Sequence, residues 1–140
     1  MTRIAGLLRQ SLQTGASAIQ KLFQSIAGYG IHSDELRHPR LRIVIDPANL
    51  ISQGCNQKRV LDEAFALLGD SIVIAHAKDR NSEFQACAAG KGVLDFEYYL
   101  RCAKQSGFTG PLVMHGLDEK DVAFSREFLR KAMADVGFIS

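Results

Sequence analysis

SIVIAHAKD, residues 71–79, is an apolar run that stops at His76 and is followed at once by Lys78 and Asp79. A β-branched run without polar alternation is the pattern of a strand covered on both faces, and such strands belong mostly to parallel sheets wrapped by helices. In those folds ligands bind at the carboxyl ends of the strands, so this reading puts His76 on a functional rim. Two further runs end in the same way. LRIVI (41–45) meets Asp46 and then Pro47, which cannot donate to a sheet ladder, and GPLVM (110–114) meets His115. Each strand delivers a possible metal ligand to the same edge.

Outward from these strands the chain alternates in period. Ile4, Leu7, Leu8, Leu12, Ile19, Leu22, Phe23 and Ile26 recur at helical spacing, with a weak point at Gly15, and GYGIHSDELRHPR then reads as a connector. Between the first two strands, Val60, Leu61, Ala64, Phe65 and Leu68 form one helical face that Gly69 closes. DRNSEFQACAAGKG reads as a loop. Asp95 then caps a helix burying Phe96, Tyr99, Leu100 and Ala103, and Gly107 ends it. The last helix, from about Asp121, turns Val122, Phe128, Leu129, Met133 and Val136 inward and stops at Gly137. The resulting order, α-β-α-β-α-β-α, predicts right-handed βαβ units and a parallel sheet. It divides the chain into a helical segment with its connector (1–38) and an α/β part (39–140).

Composition narrows the function classes. The 140 residues are 46% hydrophobic and 23% charged, with a formal net charge of +2, which is ordinary for one globular domain. No Lys/Arg cluster interleaves with aromatics, so no nucleic-acid footprint is expected. Cys55, Cys87 and Cys102 are widely spaced and odd in number, which argues against a disulfide framework or a CxxC zinc site and for a reducing cytosol. They read as core or helix-face residues without a neighbouring base. Arg9, Gln10 and Gln13 interrupt the N-terminal stretch before an export or membrane-spanning segment accumulates. The expectation is a cytoplasmic chain with no membrane partner.

Adjacent parallel strands lie about 4.8 Å apart, so Asp46, His76 and His115 can converge on one ion. One carboxylate with two imidazoles suits zinc, manganese, cobalt or iron(II) rather than calcium. A plainer reading makes each of them the first polar group after a buried strand. DPAN also allows Asp46 and Asn49 to act as turn or cap formers. Lys78 and Asp79 read either as a solvated pair, worth about 0–1 kcal/mol, or with Asp79 steering the His76 imidazole or a substrate hydroxyl. AGKG (89–92) is either a flexible turn or a place where backbone N–H groups and Lys91 approach a phosphate.

DPANL (46–50), HAKD (76–79), GKGVLDFEYYL (90–100) and GFTGPLVMHGL (107–117) together, in this order and spacing, resemble the sugar phosphate isomerase/epimerase family. That family shares a TIM barrel with xylose isomerase and endonuclease IV. The resemblance implies an α/β fold: a partial (β/α) TIM barrel of about three parallel strands, each followed by a helix, preceded by an N-terminal helix. It implies aldose–ketose isomerisation or epimerisation by proton transfer, on a small sugar or sugar phosphate, with a divalent metal (manganese, zinc, cobalt or magnesium) as cofactor. Asp46 and His76 fall on metal ligands. His115 falls where most relatives have a glutamate that ligates metal and acts as base, so His115 and Asp46 become the catalytic candidates. Asn49 falls where relatives often have a substrate-contacting or metal-binding histidine, and Lys78, Asp79 and Lys91 join it as expected substrate contacts. An imidazole at residue 115 brings no negative charge, which alters the usual two-carboxylate mechanism.

A complete barrel needs eight βα units and about 250 residues, whereas the recognisable units resemble the last three. A truncated or split member is expected, with the edges of LRIVI and GPLVM free to pair with a second copy or a complementary barrel fragment. Two other readings stand beside it. One is a non-catalytic α/β module for binding or assembly. The other is an endonuclease IV-like phosphodiester hydrolase, which needs a richer His/Asp/Glu cluster than this chain offers.

Overall fold

A computed structural model describes residues 42–139. The N-terminal helix and connector expected over residues 1–38 lie outside the described residues. The elements are β1 (Ile43–Ile45), α1 (Pro47–Leu50), α2 (Gln57–Leu68) with a 3-10 turn (Gly69–Ser71), β2 (Ile72–Ala77), β3 (Asp79–Arg80), β4 (Ala86–Cys87), α3 (Phe96–Gln105), β5 (Leu112–Met114) and α4 (Glu119–Asp135).

Local chemistry sets these bounds. Pro47 stops β1 and opens α1, where its fixed φ suits a first helical turn. Asn56 starts α2 by accepting from the Arg59 amide at 3.2 Å, and Asp95 starts α3 by accepting from the Tyr98 amide at 2.9 Å, the usual way of filling orphan donors at a helix start. Gly107, at φ +76°, turns the chain out of α3 in the left-handed conformation that glycine adopts most readily. The helix stripe expected at Phe96, Tyr99, Leu100 and Ala103 is buried throughout.

β1, β2 and β5 form one parallel sheet in the order β1-β2-β5. This is the layout expected of consecutive βαβ units in a partial barrel. Pairing of Val44 with Ile74 and of His76 with Val113 puts these residues on one face, because neighbours across a ladder point the same way and side chains alternate along each strand. Asp46 and His115, two residues beyond Val44 and Val113, continue that face at the strand ends. The opposite face carries Ile45, Ala75 and Ala77, all at most 1% exposed. The hydrophobic core lies on that side. It includes Leu61, Phe65, Phe96, Tyr99 and Leu100, with the Phe65 and Tyr99 rings 5.9 Å apart.

Three expectations are corrected. Among the described residues the strands are not closed off on both faces: Val113, on the face that bears the histidines, is 39% exposed. The loop after β2 is not featureless, since Asp79–Arg80 and Ala86–Cys87 pair as a short antiparallel ladder. The final helix starts at Glu119, and Val122 is exposed rather than inward, with Leu129 and Ser125 its buried residues. α4 sits against α3 and β5.

Candidate metal centre

The three strand ends meet. Asp46 Oδ2 lies 3.5 Å from His76 Nδ1 and 3.3 Å from His115 Nε2, and one ligand atom from each of the three residues falls within 4.8 Å of the others. The two imidazole rings tilt against each other with centroids 4.5 Å apart. A tetrahedral ion with bonds of about 2.1 Å keeps its ligand atoms about 3.4 Å apart, which the two distances from Asp46 Oδ2 match. Accessibility is graded: the Asp46 side chain is 10% exposed and that of His115 is 43% exposed. The carboxylate is the least exposed of the three groups and His115 the nearest to solvent.

The Asp46 carboxylate is not spent on a helix cap, since it makes no cap hydrogen bond to α1. Oδ2 accepts from Asn49 Nδ2 at 3.0 Å. Oδ1 is buried without any hydrogen-bond partner among the described residues. A buried carboxylate oxygen lacking a donor is costly, and a cation held there would supply the missing compensation. The donor set and this orphaned oxygen both fit a divalent metal of the zinc, manganese, cobalt or iron(II) type.

Supporting groups come from elsewhere in the fold. Tyr99, on α3, donates its hydroxyl to the His76 carbonyl at 3.2 Å. Burial, followed by the nearby negative charge of Asp46, holds the Tyr99 hydroxyl well above its ordinary pKa, so it remains a donor. Tyr99→Phe is expected to leave that carbonyl short of a partner and to lower stability by about 1 kcal/mol, read as a shift in the urea unfolding midpoint at unchanged slope. Arg80, which no sequence motif singles out, donates to the carbonyls of Ala48 at 2.7 Å and Phe84 at 2.9 Å and to Asn49 Oδ1 at 3.3 Å. Its only signal in the sequence is its place directly after HAKD.

Asp79 does not reach toward His76 or a substrate. It is 1% exposed, and its oxygens accept from the backbone N–H groups of Arg80, Gly90, Gly92 and Leu94 at 2.8–3.2 Å. Its carboxylate folds the 80–94 loop. The same contacts correct the phosphate-cradle reading of AGKG, because the Gly90 and Gly92 amides point at Asp79. Lys91 pairs with Asp121 at 2.5 Å and lies over the Phe124 ring, an arrangement that ties it to α4. Lys78 is different: its stem runs beside Gly116, the residue after His115, and it makes no ion pair among the described residues.

Two of the thiols are held toward their protonated form. Burial, then the Asp79 charge, raises the Cys87 pKa, and burial, then Asp62, pushes that of Cys102 up to about 11. Neither has the electropositive setting of a nucleophile. Among the described residues, no helix is long and apolar enough to cross a membrane.

Comparison with known proteins places this geometry. The relatives include the L-ribulose-5-phosphate 3-epimerase UlaE of Escherichia coli (strain ATCC 8739), 26% identical over 148 aligned positions that cover 94% of this chain and 51% of the relative. The enzyme of the same name from Salmonella paratyphi B is 33% identical over 75 positions, covering 49% of this chain and 26% of the relative. The chain therefore spans about half the length of the first of these relatives. The model of a family described as the xylose isomerase-like TIM barrel matches residues 22–132. With the parallel β1-β2-β5 sheet and its interleaved helices, that match identifies the chain as a member of the xylose isomerase-like TIM barrel family.

Proposed function

We propose that this chain carries the metal-binding rim of a sugar phosphate epimerase or isomerase, with Asp46, His76 and His115 as the metal ligands. The observation that carries the reading is the triangle of Asp46 Oδ2, His76 Nδ1 and His115 Nε2 beside a buried carboxylate oxygen that has no donor. The names of the relatives, which describe epimerisation at carbon 3 of a ketose phosphate, supply the substrate class. A divalent cation bound there would polarise the carbonyl and hydroxyl oxygens of the sugar and so ease removal of the proton between them.

The chain's own residues divide the remaining work. Asp46, buried and held by Asn49, anchors the ligand set. His115, the most exposed of the three, is placed to meet the substrate; it takes or returns a proton at carbon only when its Nε2 is off the metal, because an imidazole bound through Nε2 has no second lone pair to offer. With one carboxylate rather than two, the site holds less negative charge than the family pattern, which favours an anionic substrate. Lys78, flanking Gly116, extends that bias and is the substrate-binding cation, and Asn49 contributes through its hold on Asp46. Lys91 contributes to binding only if its pair with Asp121 opens. The free cysteines agree with residence in a reducing compartment.

Titration of the chain with manganese, cobalt, zinc or magnesium, read by calorimetry, tests the site. Asp46→Ala and His76→Ala are each expected to weaken binding by more than about a hundredfold, beyond the range that loss of a ligand's supporting partners costs. Incubation with L-ribulose 5-phosphate in deuterated water should then place deuterium at carbon 3 in the metal-loaded chain and not in Asp46→Ala. Metal binding indifferent to both substitutions removes the reading.

A further inference from the structure

Asn49 sits between two groups of opposite kind. Its Nδ2 donates to Asp46 Oδ2 at 3.0 Å, and its Oδ1 accepts from Arg80 Nη2 at 3.3 Å. A guanidinium can only donate and an ionised carboxylate can only accept, so one amide orientation satisfies both neighbours. Turned over, the carboxamide would aim N–H at N–H and oxygen at oxygen. Arg80 itself has little freedom, because Nε is held by the Ala48 carbonyl and Nη1 by the Phe84 carbonyl. Ala48 is fully buried, and Phe84 adopts a left-handed backbone with φ 61°. The planar fork is thus fixed before it meets Asn49.

Asn49, in turn, meets the same oxygen of Asp46 that faces both imidazoles. Carboxylate rotation about its terminal torsion is soft, and among the described residues no cap or ion pair with Lys or Arg restrains it. We propose that Arg80 is a positioning residue for the metal centre, acting through the Asn49 carboxamide to fix the rotation of the Asp46 carboxylate so that Oδ2 is presented to His76 and His115. The proposal rests on the metal-centre reading above and adds a residue that touches none of the ligands directly.

The test is a double-mutant cycle on cobalt(II) affinity in the full chain, followed by calorimetry and by the visible bands of the bound ion. Arg80→Met and Asn49→Ala are each expected to weaken binding about 10- to 100-fold, as loss of a group orienting a metal ligand does. Arg80→Met in the Asn49→Ala background should cost no further affinity, because the relay is already cut. An undiminished cost there, or an Arg80→Met chain that loses thermal stability while binding cobalt as the parent does, overturns the relay.

Arg80 also holds two backbone carbonyls, so Arg80→Lys, which keeps the cation, gives a second route if Arg80→Met does not fold. In the metal-free chain, NMR should show the two Asn49 side-chain amide protons distinct and slow to exchange in the parent, and faster to exchange in Arg80→Lys. Unchanged amide signals overturn the proposal. A parent chain that takes up no cobalt removes the metal centre, while the amide measurement still decides whether Arg80 orients Asn49.

Discussion

Asp79→Ala is expected to cost about 3–5 kcal/mol of stability, more than most single substitutions. The substitution removes the acceptor of four backbone N–H groups, those of Arg80 and Leu94 on Oδ1 and of Gly90 and Gly92 on Oδ2. Each stranded donor costs about 1–3 kcal/mol where it stays buried. The Leu94 amide is buried and the other three are part-buried, so water relieves some of them and the total falls below the sum. Asp79→Asn should lie between parent and alanine, since one acceptor oxygen survives while an NH2 group is forced against amide donors. Urea unfolding gives the magnitude, and amide hydrogen exchange gives its location: Gly90, Gly92 and Leu94 should lose protection before α2 does. A change below about 1 kcal/mol, the scale of one ordinary hydrogen bond, would mean that the loop keeps its fold without this carboxylate.

The role of Asp79 shows what the sequence can and cannot convey. The strand SIVIAH, the cap at Asp95 and the stop at Gly107 are legible because their signals are local: an apolar run, a side chain three residues from the amide it accepts, and a glycine where the backbone turns left-handed. Convergence of Asp46, His76 and His115 is legible for a different reason. In a parallel sheet ordered β1-β2-β5, residues that end neighbouring strands must share a rim, and the side-chain alternation puts all three on one face.

Asp79 escapes a reading from sequence because its partners are backbone amides 1 to 15 residues later in the chain, and backbone amides leave no trace in residue type. The Arg80–Asn49 contact spans 31 residues and two loops, so neither residue's identity announces the other. The outward-facing Val122 and Phe124 on α4 illustrate a third limit. Periodicity tells which face of a helix is apolar, and only the neighbouring elements decide whether that face is covered.

Gly110→Ala is expected to be as damaging as the loss of Asp79, at about 4 kcal/mol, and to reach the metal centre as well. A Cβ at residue 110 would stand 2.1 Å from the Val73 carbonyl oxygen and 2.7 Å from the Phe108 ring. The first of these is backbone within the central strand and cannot swing away, so β5 would have to retreat from β2, beyond the usual cost of overpacking. That retreat acts where β5 is anchored, since Ala75 N donates to the Pro111 carbonyl at 3.1 Å and His115 N to the Ala77 carbonyl at 3.4 Å. His115 rides on the far end of the displaced strand, so its 3.3 Å approach to Asp46 should open and cobalt affinity should fall with stability. Gly107→Ala separates strain from crowding. Gly107 has φ +76°, but no atom lies within 4 Å of the point a side-chain methyl would occupy, so the substitution should cost only about 1 kcal/mol and leave metal affinity intact. Equal costs for the two substitutions would show that the close approach of residue 110 to β2 does not set the register that brings His115 to the rim.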